Sequence, residues 1–234
     1  YLPADNPDRS VFWEFFTEEF HELGLAEVCA THYTPGEVAH VTTFNGVRTT
    51  MRNLAGDGDM TSPECQELAR GSVVVTNPPF SLFREYAGWL LDEGIDFILL
   101  GHQTTGIGTK ALWPYIQSGR MRLGVTARGQ GSMNFVVPDT HERTEDYTGT
   151  REPRQATVAG IAWFTTLDHG HLPPRLALSA TYDPDRHRPY DDAPEVINID
   201  RMADIPRDYP GVMGVPISGL RKIRTDQFDL VGSS

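Results

Sequence analysis

The run Ser72-Val73-Val74-Val75-Thr76 meets two consecutive prolines in Asn77-Pro78-Pro79-Phe80. A β-branched run of this length reads as a strand buried on both faces. Proline has a fixed φ and no N–H, so the ladder must stop at residue 77. Residues 81–92 then follow a helical apolar spacing, with Gly94 as the stop. The centre of the chain is therefore a strand, a rigid loop and a helix in immediate succession. That is the unit from which α/β sheets are built.

The flanking sequence repeats this alternation. Residues 10–23 predict a helix with Val11, Phe12, Phe15, Phe16, Phe20 and Leu23 on one face and Gly24 as its stop. Residues 27–33 predict a short buried strand. Residues 40–44 and 47–51 flank Asn45-Gly46, a strong hairpin signal. Thr61-Ser62-Pro63-Glu64 has the Thr-x-x-Glu pattern of a capping box and predicts a helix to about residue 70. Residues 96–100 predict another buried strand and 110–118 a helix. Past 118 the strand-like runs 121–125, 133–137 and 157–166 come without helices between them, and 138–156 and 168–194 read as long loops. The opening Tyr1-Leu2-Pro3-Ala4 reads as the end of a strand entered midway, as in a fragment whose start lies upstream.

The predicted class is α/β, a mainly parallel sheet flanked by helices with extra β and loop elements in the C-terminal half. A chain of 234 residues with 39% apolar content supports one core, hence one domain over 1–234. Within it, 1–118 is the α/β part expected to hold cofactor and catalytic residues. Residues 119–234 are the β- and loop-rich part.

No apolar stretch is long enough to span a bilayer, and no basic-then-apolar leader opens the chain, so a cytoplasmic protein is expected. Cys29 and Cys65 stand in apolar or helical patterns without histidines at ligand spacing, which predicts buried free thiols and no metal site. The net charge of −12 argues against a nucleic-acid partner at first sight. Its distribution weakens that objection. Residues 1–108 hold 16 acids against 5 bases, whereas 109–234 hold 16 acids against 15 bases, nearly all arginine. Arg120, Arg122, Arg128, Arg143, Arg151 and Arg154 are candidate DNA-facing cations, each weighed against an ordinary solvated role.

The proline loop carries the clearest chemistry. An exocyclic amine such as adenine N6 is a poor nucleophile because its lone pair is delocalised into the ring. Two acceptors aimed at its two N–H groups turn the lone pair out of the plane and stabilise the charge developing on nitrogen. Asn77 supplies an amide oxygen, and a carbonyl stiffened by Pro78 and Pro79 supplies the second acceptor. Phe80 is placed to stack on a base extruded from the duplex. The loop lies at the carboxyl end of a strand, where open α/β sheets bind ligands.

A cofactor site is less explicit, since no glycine-rich turn follows the first strand. Asp5, Asn6 and Pro7 at the first strand-to-helix junction are candidates, against an ordinary helix cap. Asp57 and Asp59 in Gly56-Asp57-Gly58-Asp59 are candidates against a solvated turn. Thr31, at the end of the second strand, occupies the usual ribose-binding position, although that position lacks its usual acid.

Gly56-Asp57-Gly58-Asp59-Met60-Thr61-Ser62-Pro63-Glu64-Cys65, residues 73–76 and Asn77-Pro78-Pro79-Phe80-Ser81-Leu82-Phe83-Arg84-Glu85-Tyr86 resemble the EcoRI-type adenine-specific DNA methyltransferases. Asp5-Asn6-Pro7 with the 10–16 helix, 163–169 and 205–217 extend the similarity over nearly the whole chain. The resemblance implies a Rossmann-like methyltransferase fold, S-adenosylmethionine as donor and adenine N6 in double-stranded DNA as acceptor. It implies that residues 77–80 form the catalytic loop, and that Asp5, Asn6, Pro7, Asp57 and Asp59 contact the cofactor. The chain departs from the family in having Leu2-Pro3-Ala4 where a cysteine is usual, and His102-Gln103 where an asparagine turn is expected. Family members also carry sequence before the first strand and after the last one. Two other readings stay open: methylation of RNA or of protein glutamine amides, which are planar nitrogens too, and an inactive methyltransferase-like domain that only binds DNA or a partner.

Overall fold

The structure, a computed structural model, describes residues 1–108, 110–125, 132–136 and 155–232. Arg128, Arg143, Arg151, Arg154 and loop residues 138–154 lie outside them.

The predicted elements form, with shifted bounds. The first helix is α1 (Val11–Glu18), capped by the Ser10 hydroxyl accepting from the Trp13 N–H. β1 (Val28–Thr31), β2 (His40–Phe44) and β3 (Thr49–Asn53) follow, then α2 (Pro63–Ala69), β4 (Val74–Thr76) and α3 (Phe80–Glu93). β5 (Phe97–His102) leads into the one-turn helix α4 (Gln103–Gly106), and α5 (Trp113–Gln117) precedes β6 (Arg122–Leu123). β7 (Ser132–Val136) pairs with β8 (Gln155–Ala159), and β9 (Ile161–Thr165) completes the central set. Toward the C-terminus, β10 (Val196–Asn198) and β11 (Val212–Gly214) pair in parallel around a small core of Ile197, Ile199 and Ile205.

Four local expectations change. The hairpin turn spans residues 45–48: Phe44 pairs with Thr49, and the Asn45 side chain accepts from the N–H groups of Val47 and Arg48, so an Asx turn replaces a two-residue Asn-Gly turn. Ser62, not Thr61, caps α2, because its hydroxyl accepts from the Cys65 N–H. Glu64 reaches instead to Arg52 and the Ala55 N–H. The run 157–166 is split by Gly160 at φ +74°, so its two halves join different sheets. α1 ends at Glu18 and fully buries none of its side chains. Val11 and Phe15 are exposed, while Phe12, Trp13 and Phe16 pack part-buried against the core.

The expected mainly parallel sheet is mixed. β4 and β5 are parallel, whereas β9 runs antiparallel to both β5 and β6, and β1–β2–β3 is an antiparallel meander. The two sheets meet through the opening residues. The Tyr1 main-chain nitrogen donates to the Val73 carbonyl and Val75 N–H to the Tyr1 carbonyl, while Leu2 bridges Ala30 in parallel on the other side. The continuous order is β3, β2, β1, residues 1–2, β4, β5, β9, β6.

Period-two alternation decides what each face of this sheet covers. Cys29, Val74, Phe97 and Leu99 enter a core with Cys65 and Ala69 of α2 and Phe83, Tyr86, Leu90 and Leu91 of α3. Ala30, Val75 and Ile98 face α1 and Phe20 on the opposite side. Helices thus cover both faces, and the edge formed by the carboxyl ends of β4, β5 and β1 is left open. Both cysteines are buried free thiols, as expected. Among the described residues, no helix is long and apolar enough to cross a membrane.

Candidate active site

Four chain segments converge on the open edge. β4 ends in the fully buried Thr76, whose hydroxyl donates to the Pro3 carbonyl at 3.3 Å. This bond ties the strand carrying the proline loop to the chain opening, and beyond it Asn77 emerges exposed. The segments line an open cleft of about 480 Å³, to which Asn77, Pro78, Pro79 and Phe80 contribute together with Pro3, Ala4, Tyr33 and Met60. That volume falls in the range of roughly 300–1,000 Å³ typical of small-molecule sites.

The backbone of the loop sorts its two prolines into different roles. The Pro79 carbonyl accepts from the N–H groups of Leu82 and Phe83 and so starts α3. The Pro78 carbonyl and the Asn77 carboxamide make no hydrogen bond with any described residue. Two acceptors are left unused beside the cavity. Phe80, the first residue of α3, is 43% exposed although it is a large apolar ring.

None of the candidate cofactor residues lines the cavity, although Asp5 and Asp59 adjoin the lining residues Ala4 and Met60 in the chain. Asp5 donates its N–H to the Thr31 carbonyl, and its carboxylate accepts from Ser10. Burial pushes the Asp5 carboxyl above its ordinary value, against the Ser10 hydrogen bond that lowers it. The Asn6 side chain accepts from the Asp8 N–H, and Pro7 is half-buried beside it. Asp57 accepts from the Asp59 N–H, and Asp59 accepts from both the N–H and the hydroxyl of Thr61 at 2.7 Å. This turn delivers Met60 to the cavity. Thr31 corrects the expectation of a ribose contact. It is completely buried, and its hydroxyl bonds the Tyr1 hydroxyl and accepts from the Ala4 N–H at 3.2 Å. Its place is beneath the site.

Ala4, Tyr33 and Met60 were not legible as site residues. Ala4 has φ +53° and is the one described non-glycine residue with positive φ. A left-handed alanine costs about 1–2 kcal/mol, and the Thr31 hydroxyl and the neighbouring Asp5–Thr31 bond hold it there. Ala4→Gly is expected to remove this strain, offset by about 0.4–1 kcal/mol of added freedom in the unfolded chain. A net gain of about 0.5–1 kcal/mol should appear as a raised midpoint in denaturant titration. A lowered midpoint would show that the methyl group is required at that turn.

Arg120 and Arg122 are not on this edge. Arg120 donates to the Leu91 carbonyl and lies over the Tyr115 ring, and Arg122 pairs with Asp168 at 3.1 Å. Both line a separate cavity of about 370 Å³ with Asp96 and Thr166, at the amino end of β5. Because β4 and β5 are parallel, that is the opposite rim of the sheet from Asn77, so the reading of these two as contacts to DNA bound at the proline loop is withdrawn. Among the described residues, no cluster of three or more histidine, cysteine or acidic side chains is arranged to hold a metal.

A mixed sheet with helices on both faces, and a cavity lined by Asn77, Pro78, Pro79 and Phe80 at the carboxyl end of β4, define an α/β protein whose architecture is consistent with a methyltransferase. The chain belongs to the EcoRI adenine-specific methyltransferase family: the model described as "Adenine-specific methyltransferase EcoRI" matches residues 37–234. It is 32% identical to the type II methyltransferase M.EcoRI of Escherichia coli, over 99% of this chain and 77% of that protein. It is 31% identical to the type II methyltransferase M.MpnI of Mycoplasma pneumoniae, over 95% and 71%. It is 30% identical to M.MgeORF184P of Mycoplasma genitalium, over 99% and 74%. No solved structure matches the chain. Membership makes the chain a DNA methyltransferase of the restriction-modification type.

Proposed function

We propose that this protein methylates adenine N6 in double-stranded DNA with S-adenosylmethionine as donor, on a Rossmann-like scaffold. The observation that carries the reading is that Asn77 and Pro78 both line the cavity while neither the Asn77 carboxamide nor the Pro78 carbonyl bonds a described residue. A primary amine on a flat ring offers two N–H donors to this pair. Binding both leaves the nitrogen lone pair directed away from the acceptors, and the two oxygens oppose the positive charge that grows as the new bond forms. Phe80 stacks on the extruded base and holds its plane.

S-adenosylmethionine, when bound, supplies an activated methyl group on sulfur. The residues fit such a group in size and charge. The cavity has the volume of a small-molecule site, and Asp5 beside it is a poorly solvated carboxylate, whose charged form a cationic ligand favours. Ala4, Tyr33 and Met60 are the residues assigned to hold it, with Asp5, Asn6, Pro7, Asp57 and Asp59 in the turns that shape the rim. Thr31 acts as a positioning residue for Ala4.

The test is transfer of labelled methyl from S-adenosylmethionine to duplex DNA, RNA and protein in parallel, with digestion to nucleosides. N6-methyladenine from the DNA arm alone is expected, and label in RNA or glutamine amide with none in DNA would overturn the reading. Phe80→Ala is expected to weaken productive capture of the base by about 1–3 kcal/mol, the worth of a base–aromatic stack, read as a fall in kcat/KM for duplex DNA. Unchanged kinetics would remove the stacking role.

A further inference from the structure

An acidic protein that acts on a polyanion needs cations where the backbone passes, and the α/β part has few to offer. Its six bases are Arg9, Arg48, Arg52, Arg70, Arg84 and Lys110, among 16 acids. Arg52 is paired with Glu64, and Arg70 with Glu67 and Glu93. Arg48 sits in the β2–β3 turn, and because Val28 pairs with Phe44 that turn lies at the amino end of β1, away from the cavity. Arg9 stands in the turn before α1. Arg9, Arg84 and Lys110 are each exposed and without a carboxylate or side-chain hydrogen-bond partner among the described residues, and of these Arg84 alone is carried by the helix that begins at the cavity wall.

Its placement is specific. Phe80 opens α3 on the cavity wall, and Arg84 follows it by four residues on the same helix. Residues at that spacing share one face, with Cβ atoms about 5–6 Å apart, and helical side chains lean back toward the N-terminus. From that position the Arg84 side chain can reach the end of the helix where Phe80 meets the cavity. No acid stands in the first turn of α3 to neutralise it. Arginine's planar fork matches two oxygens of one phosphate.

We propose that Arg84 is a substrate-anchoring residue that grips a DNA backbone phosphate next to the extruded adenine, so that Phe80 and Arg84 hold base and backbone from one helix face. This inference rests on the DNA reading above.

The experiment measures binding of a fluorescent duplex, carrying the context methylated by the wild-type protein, across a salt series from about 50 to about 200 mM. One phosphate contact contributes about 0.9 to the slope of log affinity against log salt, or roughly 5–10-fold in affinity near 0.1 M. Arg84→Gln is expected to lose that increment of slope and affinity while keeping the wild-type melting temperature and S-adenosylmethionine affinity. Arg84→Lys should recover most of the slope, since it retains the charge. Arg70→Gln, which removes an exposed cation already paired with acids, should leave the slope unchanged. An Arg84→Gln slope equal to wild type, or a loss of cofactor affinity in that variant, overturns the proposal while the DNA reading stands. Failure of the wild-type protein to methylate DNA overturns both.

Discussion

Asn77→Ala is expected to lower kcat on duplex DNA by about 10²–10³-fold, the usual consequence of removing one oriented polar group from a developing charge. The affinity for S-adenosylmethionine should stay close to wild type. The carboxamide makes no hydrogen bond with a described residue, so its loss leaves no buried donor stranded, and the turn is held by Pro78, Pro79 and the start of α3. An interaction made mainly as charge develops on the nucleophile lowers kcat and kcat/KM together, and that joint fall is the signature to look for. Asn77→Asp retains an acceptor oxygen and should keep part of the activity. Single-turnover methyl transfer and calorimetric cofactor titration together check the prediction. An alanine variant with most of its turnover intact would remove Asn77 from the chemistry.

The largest effect on stability is expected at Gly58. Its φ of +79° is in the left-handed region, and a Cβ there would lie 2.3 Å from the His32 carbonyl oxygen and 2.9 Å from the Ala39 side chain. The obstacle is main chain at the end of β1, which cannot swing aside as a side chain can. Gly58→Ala should cost about 1–2 kcal/mol for the backbone conformation and a further 1–3 kcal/mol for overpacking. The cheapest relief is for the 56–59 turn to lift off β1, which withdraws Met60 from the cavity wall. A lowered denaturation midpoint is therefore expected together with weaker S-adenosylmethionine binding. Gly56→Ala is the control, because a Cβ at that position meets nothing within 4 Å. If both substitutions behave alike, the packing of this turn on β1 does not govern the site.

Much of the site was readable because its chemistry is contiguous. Four consecutive residues at the end of a β-branched run carry the acceptors and the ring, and the prolines force the strand to stop there whatever surrounds it. The cofactor side could not be read in this way. The strand-to-helix junction offers Asp5, Asn6 and Pro7, the glycine-rich turn Asp57 and Asp59, and the strand end Thr31, but the residues that line the cavity there are Pro3, Ala4, Tyr33 and Met60. These residues carry no polar signature of a binding role. They reach the wall because the opening residues lie between β1 and β4 and because a glycine lets the 56–59 turn sit on His32.

The distinction between Arg120 and Arg84 has the same origin. Arg120 looked like a DNA-facing cation in an arginine-rich stretch, yet strand direction puts it on the far rim with its guanidinium on the Leu91 carbonyl. Arg84 carries no signal of its own in the sequence, and only the phase of α3 sets it on the same helix face as Phe80.

By itself the amino-acid sequence determined the elements whose causes are local. These include the α3 helix closed by Gly94 at φ +70°, the β4 strand stopped by proline, the buried thiols and the proline loop between β4 and α3. Tertiary structure alone decided the strand order, the antiparallel direction of β9, the burial of Thr31 and the left-handed turn at Ala4. The physical reason is that pairing between distant strands and a strained φ are set by hydrogen bonds from elsewhere in the chain. The Thr31 hydroxyl on the Ala4 N–H overrides the conformation that alanine would choose alone.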